Sequence, residues 1–309
     1  MLLVLIVMIL SCSTTAPAPQ LLQASEITRN DGSRIQFYLE HKSVKNRTDT
    51  LLLYLQGSDC NSVVRDKFLH NSARAVWPSA DVLTVEKRGI TAKLPYSAEG
   101  ERQDCPAEYI QHDNPEQRVA DIQVVLNSVL SQHRYKNVIA LGGSEGAQIA
   151  GMIAAVSEAV NVAVLINSGG RHFLDDVLHN IALTTPPDAR EAALHGFKAF
   201  AKHILAAGPF AMEVSNHGYS WWRSVLTYDQ QNILRSINVP TLIIQSGLDQ
   251  SVSPEAVAAM IENLRSLGKT NLDFVVYPDL DHGLLNSAGI SMAENVVRDI
   301  NLWLKNQLE

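Results

Sequence analysis

The chain has 309 residues, 46% of them hydrophobic and 18% charged, enough for a large buried core. Its formal net charge is −7 and it carries no runs of Lys or Arg. This excludes the basic footprint of a nucleic-acid binder and charge-driven adhesion to an anionic membrane. No HExxH pattern, no Cys/His cluster at metal-ligand spacing and no phosphate-loop glycine pattern occurs, so neither a metal nor a nucleotide cofactor is expected.

Residues 2–10 form an unbroken apolar run. It is well short of the roughly 20 residues that span a bilayer, and its length fits the apolar region of a secretory signal. Ile9-Leu10-Ser11-Cys12 resembles a bacterial lipobox, in which the cysteine is lipidated, although Leu10 is larger than the usual residue there. Residues 1–12 are therefore read as signal and lipobox, 13–32 as a Ser/Thr/Pro-rich tether, and 33–309 as one domain. Export to the periplasm, with membrane attachment through Cys12, is the expectation; a cleaved signal with an incidental cysteine is the alternative. In an oxidising compartment Cys60 and Cys105 are left as an even pair. A bridge between them would close a loop of about 45 residues, a constraint of roughly 4 kcal/mol in the chain-entropy picture.

From residue 33 strand-like and helix-like segments alternate. Residues 34–40 read as a first strand, and 50–56 (TLLLYLQ) and 81–87 (DVLTVEK) as two more. Residues 115–130 predict a helix, with Pro115 in its first turn and Val119, Ile122, Val125, Leu126 and Val129 on one face. A strand over 137–141, a helix over 146–156 and a strand over 161–167 follow. Beyond 238 the sequence predicts strands at 239–245 and 272–277, and helices at 254–267 and 292–308. Strands apolar on both faces, alternating with helices, predict an α/β fold with a mostly parallel sheet covered on both sides. Residues 168–238 interrupt the pattern with helices at 189–207 and 221–237 and no strand, and are predicted to form a helical cap.

The pentapeptide Gly142-Gly143-Ser144-Glu145-Gly146 lies between strand 137–141 and helix 146–156. That is the strand–turn–helix setting of a nucleophile elbow. Small neighbours allow a tight turn that strains the serine backbone and exposes its Oγ at the positive end of a helix. A serine needs a base and an acid to orient that base. Asp249 follows strand 239–245, at the sheet edge where ligands bind. His282 sits in a short loop between strand 272–277 and the last helix, which singles it out among ten histidines. Asp279 and Asp281 compete for the acid role, but both lie awkwardly close in sequence to His282. Backbone amides for an oxyanion are expected from Glu145 and from Ser58 or Gly57, in the loop after strand 50–56.

GGSEG between strand and helix, SGLD at 246–249 and DHG at 281–283 together resemble the α/β-hydrolase superfamily, over roughly residues 33–308. The likeness is to bacterial members near the peptidase and dienelactone-hydrolase-like groups. It implies the α/β-hydrolase fold and acyl transfer to water through Ser144, His282 and Asp249, without a cofactor. Glu86-Lys87-Arg88-Gly89 resembles an Arg-Gly turn of those enzymes that is structural, and Gln56 stands where lipase-like members carry a His-Gly motif. The expected substrate is a small-molecule carboxylester. A short peptide, cut by a serine peptidase of the same fold, is the alternative; a non-catalytic binding lipoprotein is a third. In the cap, His217, Tyr219, Trp221 and Trp222 either pack together or line an acyl or aromatic pocket. Adjacent tryptophans on a helix point in different directions. Arg171 and His172, after strand 161–167, either reach the site or are solvated.

Overall fold

Thr50–Leu55 is buried at every one of its six positions, as a strand must be when both faces of its sheet are covered. The computed structural model describes residues 24–43, 48–99 and 101–308, so the signal and Cys12 lie outside the described residues. The strands are β1 (Ser25–Thr28), β2 (Arg34–Glu40), β3 (Thr50–Leu55), β4 (Asp81–Val85), β5 (Asn137–Gly143), β6 (Val162–Ile166), β7 (Thr241–Ser246) and β8 (Leu272–Tyr277). They form one sheet in the order β1-β2-β4-β3-β5-β6-β7-β8. β1 and β2 join antiparallel at one edge, and every pairing from β4 to β8 is parallel. Residues 25–28 were expected at the end of the tether; they pair with β2 instead, Ile27 opposite Ile35.

The helices are α1 (Lys67–Asn71), α2 (Ala107–His112), α3 (Pro115–Gln132), α4 (Glu145–Val156), α5 (Phe173–Thr184), α6 (Pro187–Ala206), α7 (Tyr219–Thr227), α8 (Gln230–Ser236), α9 (Pro254–Ser266) and α10 (Ala293–Leu308). Strand alternation divides the core into two layers. Leu51, Leu53 and Leu55 face the apolar stripes of α3, α4 and α9, while Leu52 and Tyr54 face α10 and the segment around Leu69 and Val76. Burial of each large aliphatic contributes roughly 1.5–3 kcal/mol. α3 starts where the sequence places it: the Asn114 side chain accepts from Gln117 N at 2.9 Å, ahead of Pro115.

Between β6 and β7 the chain is helical, as expected, but divided differently. Residues 173–184 form a helix of their own, and the expected helix at 221–237 breaks at Tyr228. There Asp229 caps α8, accepting from Asn232 N at 3.1 Å. Leu234 and Ile237 join the main core, so α8 packs back against α4 and α9 and the cap proper is α5 to α7.

Candidate active site

The turn between β5 and α4 places Ser144 at φ 55°, ψ −129°. Contact dictates the glycines around it. A Cβ on Gly142 would overlap the Gly146 carbonyl, and one on Gly146 would overlap the Leu55 carbonyl of β3. Ser144 N donates to Ile166 O at 2.9 Å, which pins the turn to β6. The Ser144 carbonyl accepts from Ala147 N and Gln148 N, at 2.9 and 3.3 Å. Glu145, the first residue of α4, therefore has an amide that helix geometry leaves without an acceptor.

Asp249 and His282 meet. His282 Nδ1 lies 2.7 Å from Asp249 Oδ2. The other oxygen, Oδ1, accepts from Ser251 N and Val252 N at 2.8 and 3.0 Å. The carboxylate is buried while the imidazole is half-buried. Asp281 is occupied elsewhere: its Oδ1 accepts from Gly283 N and Leu285 N, at 2.9 and 2.8 Å, closing the histidine loop. A cavity of about 210 Å³ opens on Ser144 and His282, walled by Tyr54, Phe68, Ile166 and Leu284.

The loop after β3 reaches the serine. A Cβ on Gly57 would lie 3.9 Å from that of Ser144, so the Gly57–Ser58 backbone passes alongside the nucleophile position. The Ser58 carbonyl is held by the Tyr109 hydroxyl at 3.0 Å, and the Gln56 side chain closes the loop on Asp59 Oδ1 and Asn61 O, at 2.9 and 3.1 Å. Cys60 is bridged to Cys105, with Cα atoms 6.0 Å apart, and this ties the loop to the segment before α2.

Beneath the loop and the elbow lies a layer of buried charge. Arg118 from α3 bonds both Glu145 Oε1 and the Gln56 carbonyl, the latter at 2.7 Å. Trp221 Nε1 of the cap donates to Glu145 Oε2 at 2.7 Å, and its ring stacks on His217 with centroids 3.7 Å apart. Burial works to raise the Glu145 carboxyl, but the Arg118 and Lys87 charges outweigh it and hold the group below its ordinary range. Among the described residues Asp113 has no such direct partner, and burial pushes its carboxyl up to about 7. Burial also pushes Lys87 down, and His217 down to about 4, so the imidazole is neutral. Lys87 donates to the Asp59 carbonyl, again on the loop.

The other residues singled out in the sequence fall outside this constellation. Arg171 pairs with Asp229 at 2.8 Å on the exposed side of the cap, and Arg88 pairs with Asp31 and Glu108 at 2.9 and 2.6 Å. Trp222 packs edge-on against Phe173 and Phe200 inside the cap. Sequence reasoning missed Asn167, which follows β6 at φ 51° and lines the cavity. Its amide donates to Ser246 Oγ at 3.1 Å and to the His282 carbonyl at 3.0 Å, joining the end of β7 to the histidine loop. Its place at the C-terminal end of a parallel strand is the one signal that could have raised it.

The sequence profile of the prolyl oligopeptidase family matches residues 198–309, the part that holds Asp249 and His282. No curated protein matches the chain significantly. Among solved structures, Est1E from Butyrivibrio proteoclasticus is similar at 12% identity and TM-score 0.61, over 92% of this chain and 98% of that one. A structure of Est1E with ferulic acid bound is similar at 13% identity and TM-score 0.63, over 92% and 99%. An esterase from Pyrococcus furiosus is similar at 15% identity and TM-score 0.58, over 93% and 91%. The chain is thus an α/β-hydrolase in fold.

Proposed function

We propose, with the α/β-hydrolase fold as premise, that this chain is a serine hydrolase that cleaves carboxylesters through an acyl-enzyme. One observation carries the proposal: His282, whose Nδ1 lies 2.7 Å from the buried Asp249 carboxylate, shares a cavity with a serine on a strained strand–helix turn. In the proposed cycle His282 takes the Ser144 proton as Oγ attacks the ester carbonyl, and buried Asp249 holds the ring and stabilises the imidazolium. The tetrahedral oxyanion is held by the Glu145 amide and by that of Gly57 or Ser58. His282 then protonates the leaving alcohol, and water attacks the acyl-enzyme by the same route.

The apolar walls at Tyr54, Phe68, Ile166 and Leu284 suit a compact apolar acyl or aryl group. No carboxylate is among the described residues lining this cavity, which disfavours recognition of a free amino terminus there. The family profile over residues 198–309 supports the second reading, a serine peptidase on the same scaffold. The test is fluorophosphonate labelling of wild type and Ser144→Ala, beside turnover of aryl esters and aminoacyl amides. Labelling and ester turnover of the wild type alone are expected. Turnover confined to amides would favour the peptidase, and a folded wild type that neither labels nor turns over any substrate would overturn both.

A further inference from the structure

The oxyanion site is assembled from two pieces of chain that have no covalent reason to stay in register. One is the first turn of α4, carrying the Glu145 amide; the other is the loop after β3, carrying the amides of Gly57 and Ser58. Each is a backbone peptide unit, and such donors work only when held near the place where the charge develops. One side chain touches both pieces. Arg118, itself buried on α3, gives one arm of its guanidinium to the Glu145 carboxylate and the other to the Gln56 carbonyl at 2.7 Å.

The second contact matters because the Gln56 carbonyl and the Gly57 N–H belong to one planar peptide. Fixing the oxygen fixes the direction of the hydrogen on the opposite side. Donation to that carbonyl also polarises the peptide and strengthens its N–H as a donor. On the elbow side the carboxylate bonded by Arg118 belongs to the residue whose amide is the other donor. Its second oxygen takes Trp221 Nε1 at 2.7 Å, so the cap reports on the same carboxylate. Both arms of the fork are used on groups of fixed geometry, an arrangement a lysine, as a point charge, cannot reproduce.

We infer, on the strength of the serine-hydrolase function proposed above, that Arg118 is a positioning residue that sets the oxyanion site by clamping the Glu145 side chain and the Gln56–Gly57 peptide together. It touches no substrate and acts through the two donors. Deleting one oxyanion donor outright costs about 10²–10³ in kcat; a loosened pair should cost less.

The test uses Arg118→Lys, with rates expressed per titrated active site and a trifluoromethyl ketone that matches the best ester's acyl group as a tetrahedral mimic. Expected are a kcat lower by about 10–100-fold, a KM within about twofold, and a ketone Ki raised in proportion to the loss in kcat/KM, since the mimic and the transition state use the same donors. A merely structural role would lower the titrated fraction and leave the rate per site and the Ki alone. A rate per site within about threefold of wild type overturns the inference. If Arg118→Lys does not fold, Glu145→Gln decides. It keeps an oxygen for Arg118 but removes the charge and sets an amide N–H against Trp221. A tenfold loss of kcat with a matching rise in Ki supports the clamp, and unchanged values overturn it. A wild type without Ser144-dependent turnover would instead defeat the hydrolase function itself, so the two failures are distinct.

Discussion

Replacing Ser144 by glycine and by alanine separates the chemistry of the elbow from its strain. At φ 55°, ψ −129° a residue with a Cβ sits in a sparsely populated backbone region, at a cost of about 1–3 kcal/mol. Alanine keeps that cost; glycine removes it. Glycine also enlarges the unfolded ensemble, which returns about 0.4–1 kcal/mol. The balance leaves Ser144→Gly more stable than Ser144→Ala by roughly 0.5–2 kcal/mol. Given about 2–4 °C per kcal/mol for domains somewhat smaller than this one, the difference in Tm should be at most about 1–8 °C. Both variants should lose the nucleophile's contribution, about 10⁶ in kcat where one has been removed from such a triad. Thermal and urea unfolding of the pair, followed by circular dichroism, measures the difference. If Ser144→Ala proves as stable as Ser144→Gly, or more so, the backbone at 144 is not strained, and the elbow no longer explains why the serine is presented to the cavity.

Asp249→Asn should lower kcat by about 10⁴, because an amide no longer fixes the His282 tautomer, while Asp281→Asn, whose oxygen still accepts from Gly283 and Leu285, should stay within about threefold. The reverse pattern in kcat would move the acid role to Asp281. Asp113 tests the buried charge layer through pH. Its folded carboxyl, pushed up to about 7, keeps a proton that the unfolded chain releases near 3.8, so stability falls as pH rises between those values and is level above. At about 1.4 kcal/mol per unit, Asp113→Asn should be more stable than wild type at pH 8 by at least 1 kcal/mol and equal to it near pH 4. His217, pushed down to about 4, acts with the opposite sign as pH falls from 6.5, and cancels between the two proteins. If Asp113→Asn is no more stable than wild type at pH 8, the burial argument is refuted. For the proposed anchor, Cys12→Ser should release the protein from the membrane fraction, and unchanged retention would defeat lipidation.

The elements written in local sequence were legible. A run such as TLLLYL names a two-sided buried strand without any partner, and the elbow glycines announce a contact within five residues. What escaped depended on neighbours or on weak edges. β1 alternates Glu26 and Thr28 with a single well-placed Ile27 and is largely exposed, so its only mark as a strand is its pairing with β2. The break between α7 and α8 rests on the Asp229 cap, whose significance emerges only once Leu234 joins the main core beside α4 and α9. In the site, Ser144, Asp249 and His282 could be chosen from their order and their places after strands. The place of Asn167 after a strand hinted at it, but its role and that of Arg118 could not be read: their partners lie 115 and 27 residues away, and the sequence contains no record of that register.

The charged layer beneath the loop and the elbow needs a reason of its own. Burying Lys87, Arg118, Asp113 and Glu145 together costs several kcal/mol per ion before pairing returns any of it, and apolar replacements of such groups are often neutral or stabilising. Stability alone therefore does not account for the layer. Direction does. An apolar side chain can fill the space under the Gln56–Ser58 loop, but it cannot choose which way a peptide faces. Arg118, Lys87 and Tyr109 each bond a carbonyl of that loop, those of Gln56, Asp59 and Ser58 respectively. Of these three carbonyls, that of Gln56 shares its planar peptide with the proposed Gly57 donor, and on this account the cost of buried charge is the cost of holding the loop that carries that donor still.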